Sequence, residues 1–250
     1  MDMLSRIVVL AADTARSQAY LQAFARCDLR PHAVILYAPR QRSVEVSARP
    51  AQQAAIVLPD LSEPATTTCQ RAGWTTVRCA DTSINAPALR EVLRSYAPSL
   101  IVFSGTGGEI VGADLLNIGA PFLHVHAGWL PDYRGSTTIY YSILERQICA
   151  ASAFFLATGI DTGPILTRRE YPPPPAGMEV DRLYDSAIRA DLLMRTLAAM
   201  SQQPISMLPQ RGDEGRIYYV IHPVLKHLAL LSLATSSVAT SAGRDTYHAA

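Results

Sequence analysis

Three uninterrupted apolar runs constrain the fold of this chain more than any other feature. Arg6–Ala12 reads RIVVLAA, Pro31–Tyr37 reads PHAVILY and Ser99–Ser104 reads SLIVFS. Each has strand length, is rich in Val, Ile and Leu, and does not alternate with polar residues. A strand with one wet face alternates, whereas a run that is apolar throughout belongs to a parallel sheet covered on both faces. The intervening segments supply the covers. Thr14–Phe24 and Pro87–Tyr96 carry helical spacing, and Trp74–Ala80 reads as a further strand. Strand, helix and strand in alternation predict an α/β, doubly wound, mostly parallel sheet, in which ligands meet the carboxyl ends of the strands.

The second half continues the pattern. Ala113–Ile118 is a short predicted helix leading into a strand at Pro121–His126. Thr137–Arg146 is a helix with Ile139, Tyr140, Ile143 and Leu144 at core spacing, and Ser152–Ala157 is a strand. Gly159–Gly163 makes a turn, Pro164–Glu170 continues extended, and Pro172–Pro175 stops regular structure as a stiff connector. Asp181–Met200 is an amphipathic helix, Arg216–Ile221 is strand-like, and Leu225–Leu233 is a helix that closes the core or packs on a partner subunit, which allows a homodimer. From Ser236 the end looks frayed. Ala38–Glu63 has weak patterning and reads as a loop-rich excursion with one helix. The expected division is a catalytic α/β domain over 1–175 and a helical and strand extension over 176–250 packed on it.

Composition narrows the function. With 49% hydrophobic and 17% charged residues over 250 positions, the chain is globular rather than disordered. Its net charge of +1 and the lack of a basic run argue against a nucleic-acid surface. Cys27, Cys69, Cys79 and Cys149 show no CxxC spacing, so buried free thiols in a reducing cytoplasm is the expectation. The first residues lack the basic leader of a secretion signal, and Val224–Ala234 carries Lys226 and His227, so no membrane span is expected.

The chemistry concentrates in Phe122–Gly135, FLHVHAGWLPDYRG. On a strand His124 and His126 point the same way and Val125 points into the opposite layer. Singly, each histidine reads as a satisfied core residue; the pair, followed by the Ala127-Gly128 turn at a strand end, points to function. An imidazole can donate to a developing oxyanion or shuttle a proton, and two neighbouring imidazoles will not both stay charged. Asp161, on the turn after another strand, supplies the acid. GTGGEIVG after Ser104 fails as a dinucleotide loop, because Ile110 stands at the third glycine position and the run does not follow the first strand. Its glycines allow backbone to approach a flat ligand, or simply make a tight turn. His-x-His also opens some metal sites, but His32, His222, His227 and His248 show no ligand spacing with the pair. A lone Asp161-Thr162-Gly163 in an α/β chain is not an aspartic-protease site.

Over Ser104–Gly163 the chain resembles the folate-dependent formyltransferases, the superfamily of glycinamide ribonucleotide, methionyl-tRNA and amino-sugar formyltransferases. Their motif is Asn-x-His on a strand, a Leu-Pro-x-Tyr/Trp-Arg-Gly loop, then an Asp-x-Gly turn. This chain has His124-Val125-His126, Leu130-Pro131-Asp132-Tyr133-Arg134-Gly135 and Asp161-Thr162-Gly163 in that order. GRIYYVIHP, ending at Pro223, looks like a segment of the family's C-terminal part. The resemblance implies a Rossmann-like formyltransferase fold and 10-formyltetrahydrofolate as co-substrate. It also implies His124, His126 and Asp161 as catalytic residues. His126 would be the acid that stabilises the oxyanion, Asp161 would hold His126 charged and take a proton from the amine, and an N–H of His124 would stand in for the family asparagine. It further implies a pterin contact at Thr106, Gly107, Gly108, Glu109 and Ile110 and at Ala157, Thr158, Gly159 and Ile160, with Tyr133 and Arg134 toward the acceptor. An ordinary loop-fixing salt bridge is the equal alternative for Arg134. The expected acceptor is a small amine-bearing metabolite such as an amino-sugar nucleotide or an amino-acid-like molecule, since the chain ends without the extra domain of the tRNA enzymes. A hydrolase on the same donor and a silent folate-binding protein are the alternatives.

Overall fold

The computed structural model describes residues 3–37, 56–211 and 213–242, with backbone alone over 234–242. The weakly patterned stretch from Ala38 lies outside the described residues as far as position 55. The apolar runs form strands as expected: β1 (Ile7–Ala12), β2 (Ala33–Tyr37) and β4 (Leu100–Ser104) are buried along their whole length. Around them, in chain order, come α1 (Ala15–Arg26), α2 (Ala65–Arg71), β3 (Thr76–Arg78), α3 (Pro87–Ser95), α4 (Ala113–Leu116) and β5 (Phe122–His126). Then follow β6 (Tyr133–Gly135), α5 (Thr138–Arg146), β7 (Cys149–Phe155), β8 (Ile165–Tyr171), α6 (Asp185–Gln202), β9 (Arg216–Tyr218) and α7 (Pro223–Ala242).

The main sheet has the order β3-β2-β1-β4-β5-β7-β8. The β3–β2, β2–β1, β1–β4 and β4–β5 pairs are parallel, and β7 joins antiparallel to β5 and to β8. The chain runs outward from β1 to β3, then crosses back to β4 beside β1. The order therefore reverses between β1 and β4, which is where such sheets open a crevice for ligands.

Two cores cover the two faces. Val9 and Ala11 of β1 join Tyr20 and Phe24 of α1, Ile139 and Ile143 of α5 and Ile188 and Leu192 of α6. Val8 and Leu10 join Leu89 and Leu93 of α3 and Leu115 of α4 on the other side. The period of two along β1 thus sends alternate residues into separate cores.

The structure departs from the sequence reading in several places. The β3 run is three residues long, α2 was not anticipated, and β7 starts at Cys149 rather than Ser152. A π-helical turn, Val180–Tyr184, precedes α6 where a regular helix was expected. α7 runs past Ser236 to Ala242. Tyr133–Gly135, expected to be loop, pairs in parallel with Arg216–Tyr218 as a separate two-stranded ribbon.

Candidate active site

β5 ends beside the crevice and carries both histidines there. Leu123 and Val125 point into the core of α1 and α6. His124 lies between Phe103 and Phe154, with ring centroids 5.8 Å from each. Its Nδ1 is 3.2 Å from the carbonyl oxygen of Phe103. A carbonyl only accepts, so Nδ1 carries the ring proton and Nε2 presents a lone pair. Burial holds the His124 pKa well below the usual imidazole range, and the charges of Arg16 and Arg189 push the same way. In this tautomer the N–H of His124 faces the Phe103 carbonyl rather than the cavity, so it does not stand in for the family asparagine.

His126 is 3% exposed. Its Nε2 lies 2.7 Å from the carbonyl oxygen of Tyr133 and 3.2 Å from Thr138 Oγ1, whose hydroxyl donates to the Ala127 carbonyl. Both neighbours accept, which assigns the proton to Nε2 and turns Nδ1 toward Asp161 Oδ2, 3.4 Å away. Gly128 makes this contact feasible: a Cβ there would sit 2.6 Å from His126 Nε2 and 2.8 Å from the Tyr133 oxygen. Burial lowers the His126 pKa, Asp161 raises it and Arg189 lowers it, with the net shift downward. Burial and Asp161 thus pull the His126 ring in opposite directions.

Asp161 arrives from the turn after β7 with a left-handed backbone (φ 51°). Its Oδ2 accepts from the Gly135 N–H at 2.8 Å, which ties the turn to β6. Gly163 closes the same turn against β7, since a Cβ there would fall 1.7 Å from the Phe155 oxygen.

These three side chains line one cavity of about 590 Å³. Thr106, Gly107, Gly108, Glu109 and Ile110 form one wall, and Ala157, Gly159 and Ile160 form part of another. Thr158 is exposed on its turn and lies outside the lining. The Glu109 carboxylate is already engaged: Tyr37 Oη donates at 2.6 Å, Thr106 Oγ1 at 2.8 Å and the Thr106 and Ile84 N–H groups at 3.0 and 3.1 Å. It braces the glycine loop from inside. That contact pushes the Tyr37 hydroxyl pKa up, after burial.

Two expected acceptor contacts are corrected. Tyr133 stacks on Tyr218 and donates to Glu145, and its side chain faces away from the cavity. Arg134 is 2% exposed and donates to Gln210 Oε1 and the Arg211 carbonyl. Its work is to anchor the chain before β9.

Residues the sequence reading passed over complete the site. Arg16, in the first turn of α1, donates through Nε to Ser104 Oγ at 3.2 Å and through Nη2 to the Gly105 carbonyl. Arg189 of α6 donates to the Val125 carbonyl at 2.7 Å, between the two histidines, and pairs with Asp185 at 2.8 Å. Both line the cavity, as do Ile217, Tyr218, Tyr219 and Val220. Arg16 and Arg189 also line a second cavity of about 500 Å³ on the α1–α6 side, so the two spaces meet there. A cation just after β1 is a legible signal in a sheet that binds at strand ends; Arg189 reads only as the partner of Asp185 four residues earlier. Among the described residues no three His, Cys, Asp or Glu side chains gather as a metal would need.

Comparisons with known proteins bear on the family and the fold. The methionyl-tRNA formyltransferase of Syntrophus aciditrophicus is 32% identical over 136 residues, covering 52% of this chain and 42% of that one. The chain thus spans less than half the length of that relative. A sugar N-formyltransferase from a Shewanella species superposes over 91% of this chain and 87% of its own, with TM-score 0.58 and 15% identity. HypX from Aquifex aeolicus, in complex with tetrahydrofolic acid, superposes over 92% of this chain and 34% of its own, with TM-score 0.56 and 15% identity. These two likenesses show the Rossmann-like fold. Residues 5–191 match the profile of the formyl transferase family, and by that match across well over half its length the chain belongs to this family.

Proposed function

We propose that the protein transfers a formyl group from 10-formyltetrahydrofolate to the amine of a small metabolite. The observation that carries this reading is the convergence of His124, His126 and Asp161, from three separate chain segments, on one cavity. The cavity suits the co-substrate. A volume of about 590 Å³ is within the usual range for small-molecule sites. Gly107 and Gly108 leave a wall of bare backbone, where a Cβ at either would meet nothing within 4 Å, and Ile110 and Ile160 frame the mouth with apolar surface. Such a slot offers a pterin flat packing and backbone partners. That HypX is known in complex with tetrahydrofolic acid supports the same ligand here.

The protonation states give the residues their parts. The amine approaches the formyl carbon as a free base. The proton it sheds passes to the pair of His126 and Asp161, whose facing atoms Nδ1 and Oδ2 lie 3.4 Å apart, and the carboxylate stabilises the imidazolium. The open Nε2 of His124 accepts a hydrogen bond from the amine or the pterin and orients it.

The curated relatives bring a second reading, an aminoacyl-tRNA acceptor, since the Syntrophus protein is named a methionyl-tRNA formyltransferase. One assay separates the readings: release of tetrahydrofolate from 10-formyltetrahydrofolate in buffer alone, with a panel of amino sugars and amino acids, and with methionyl-tRNA. Release that depends on a small amine supports the proposal. Release with methionyl-tRNA alone moves the acceptor to nucleic acid, release in buffer alone makes the protein a hydrolase, and binding without release refutes transfer.

A further inference from the structure

We propose that Arg16 is a catalytic residue whose guanidinium donates to the formyl oxygen as that oxygen becomes negative. The inference rests on the transfer proposed above and names the part of the site that carries the charge.

The ring proton of His124 is not available to the formyl oxygen. In His124 the only ring proton faces the Phe103 carbonyl, 3.2 Å away, so the nitrogen left open has no hydrogen to give. In His126 the Nε2 proton is taken by the Tyr133 carbonyl and Thr138, and Nδ1 faces the Asp161 carboxylate. Where the family motif has an asparagine, with an amide N–H₂, this chain has a ring that offers a lone pair. An oxyanion in this cavity therefore lacks the donor that the asparagine side chain would supply.

Arg16 has donors to spare. A guanidinium carries five N–H groups, and two of these are used, on Ser104 Oγ and the Gly105 carbonyl. Among the described residues no carboxylate lies within 4.0 Å of it. The three carboxylates lining the neighbouring cavity are taken elsewhere: Asp13 by Arg78, Asp181 by Lys226 and Tyr140, and Asp185 by Arg189. Arg189, the other cation on the cavity, is committed to Asp185 and to the Val125 carbonyl. Asp185 bears on Arg16 from a distance but makes no ion pair with it; a partly buried charge without a contacting carboxylate is costly, and a negative charge that forms beside it is stabilised. Position agrees. His124 is tied to Phe103 and Arg16 to Ser104 and Gly105, three consecutive residues at one strand end, and both side chains line the same cavity.

The step balances. The amine nitrogen forms a bond to the formyl carbon, and the carbonyl π pair moves onto oxygen, where the Arg16 N–H groups receive it. The pair returns to re-form C=O as the bond from carbon to N10 of the folate breaks. The proton lost by the amine passes to His126 and ends on N10, giving the formamide and tetrahydrofolate. Arg16 stays protonated throughout.

The test measures kcat, acceptor KM and tetrahydrofolate binding for wild type, Arg16→Gln, Arg16→Lys and the double variant Arg16→Gln/His124→Asn, using the amine that the panel above identifies. Removing one oxyanion donor lowers kcat by about 10²–10³-fold. The expected result for Arg16→Gln is a fall of that size, with acceptor KM and tetrahydrofolate Kd nearly unchanged. Lysine restores part of the loss. The double variant regains at least tenfold over Arg16→Gln, because asparagine returns an amide N–H to the place the ring occupied. Unchanged kcat in Arg16→Gln overturns the proposal. A raised acceptor KM with kcat intact also overturns it, making Arg16 an anchor for an anionic acceptor. Loss of tetrahydrofolate binding in a variant that still melts like wild type overturns it in favour of a loop-positioning role. An inactive wild type sinks the transfer and the role of Arg16 together, whereas an active wild type with an undiminished Arg16→Gln sinks the role of Arg16 alone.

Discussion

Burial lowers the pKa of both His124 and His126, and this couples stability to pH. The folded-state pKa of His124 lies well below the usual 6.5, mainly through burial. As pH falls below 6.5 the unfolded chain takes up this proton and the folded one does not, so stability drops. The contribution is fully present above pH 6.5 and is lost on acidification until the folded pKa is reached. The slope from one such histidine is at most about 1.4 kcal/mol per pH unit. Urea unfolding at pH 7, 6 and 5 is expected to show wild type losing stability faster than His124→Asn, whose side chain does not titrate; parallel losses would show that His124 protonates as readily folded as unfolded. At this scale the sequence showed which residues meet at the cavity but not which atoms face one another. His124, His126 and Asp161 sit on short local motifs and were legible. Their tautomers follow from carbonyls of Phe103 and Tyr133, set by pairing that no motif encodes. Tyr133 and Arg134 failed for the same reason: β6 pairs with Arg216–Tyr218, over eighty residues later, and that pairing turns both side chains away from the cavity.

At the scale of elements, the turn between β5 and β6 is held by β7. Ser152 is fully buried; its hydroxyl donates to the Gly128 carbonyl at 2.7 Å and accepts from the Leu130 N–H at 3.0 Å. Ser152→Ala strands both buried backbone groups, and the expected cost is about 1–3 kcal/mol in urea unfolding. Because Gly128 follows His126 closely, the His126 ring should lose its fixed contact with the Tyr133 carbonyl, read as a shift of its Nε2–H resonance. A resonance that stays put would show that the turn holds without Ser152. Gly128→Ala should do more damage, since its Cβ would overlap both the ring and that carbonyl; loss of turnover with the melting temperature lowered is expected, and full activity would refute the packing argument. The apolar runs were legible as strands because burial on both faces leaves a continuous Val, Ile and Leu signature. The start of β7 was not: Cys149, Ala150 and Ala151 are small residues with weak strand character, and only their place between β5 and β8 makes them strand.

At the scale of the molecule, α6 joins the part of the chain after residue 176 to the site. The family match ends inside this helix, at residue 191. Yet α6 shares a core with α1 and β5, and its Arg189 reaches the Val125 carbonyl, between His124 and His126 on β5. We therefore propose that the extension from residue 176 and the sheet before it unfold as one unit. Leu193, beyond the matched span, is fully buried in that shared core. Leu193→Ala removes a core side chain and should cost about 2–5 kcal/mol. The informative result is the shape of the transition. Trp129 sits on the loop after β5 with the Arg168 guanidinium over its ring at 4.6 Å, so its fluorescence in a Trp74→Phe background reports on the site. Far-ultraviolet circular dichroism reports on all the helices. If α6 belongs to the same cooperative body, the two signals move together to lower urea in Leu193→Ala, with an unchanged slope. A helical signal lost first, while Trp129 keeps its native fluorescence, would mean that the extension is a separate unit and that Arg189 can leave the site without unfolding it.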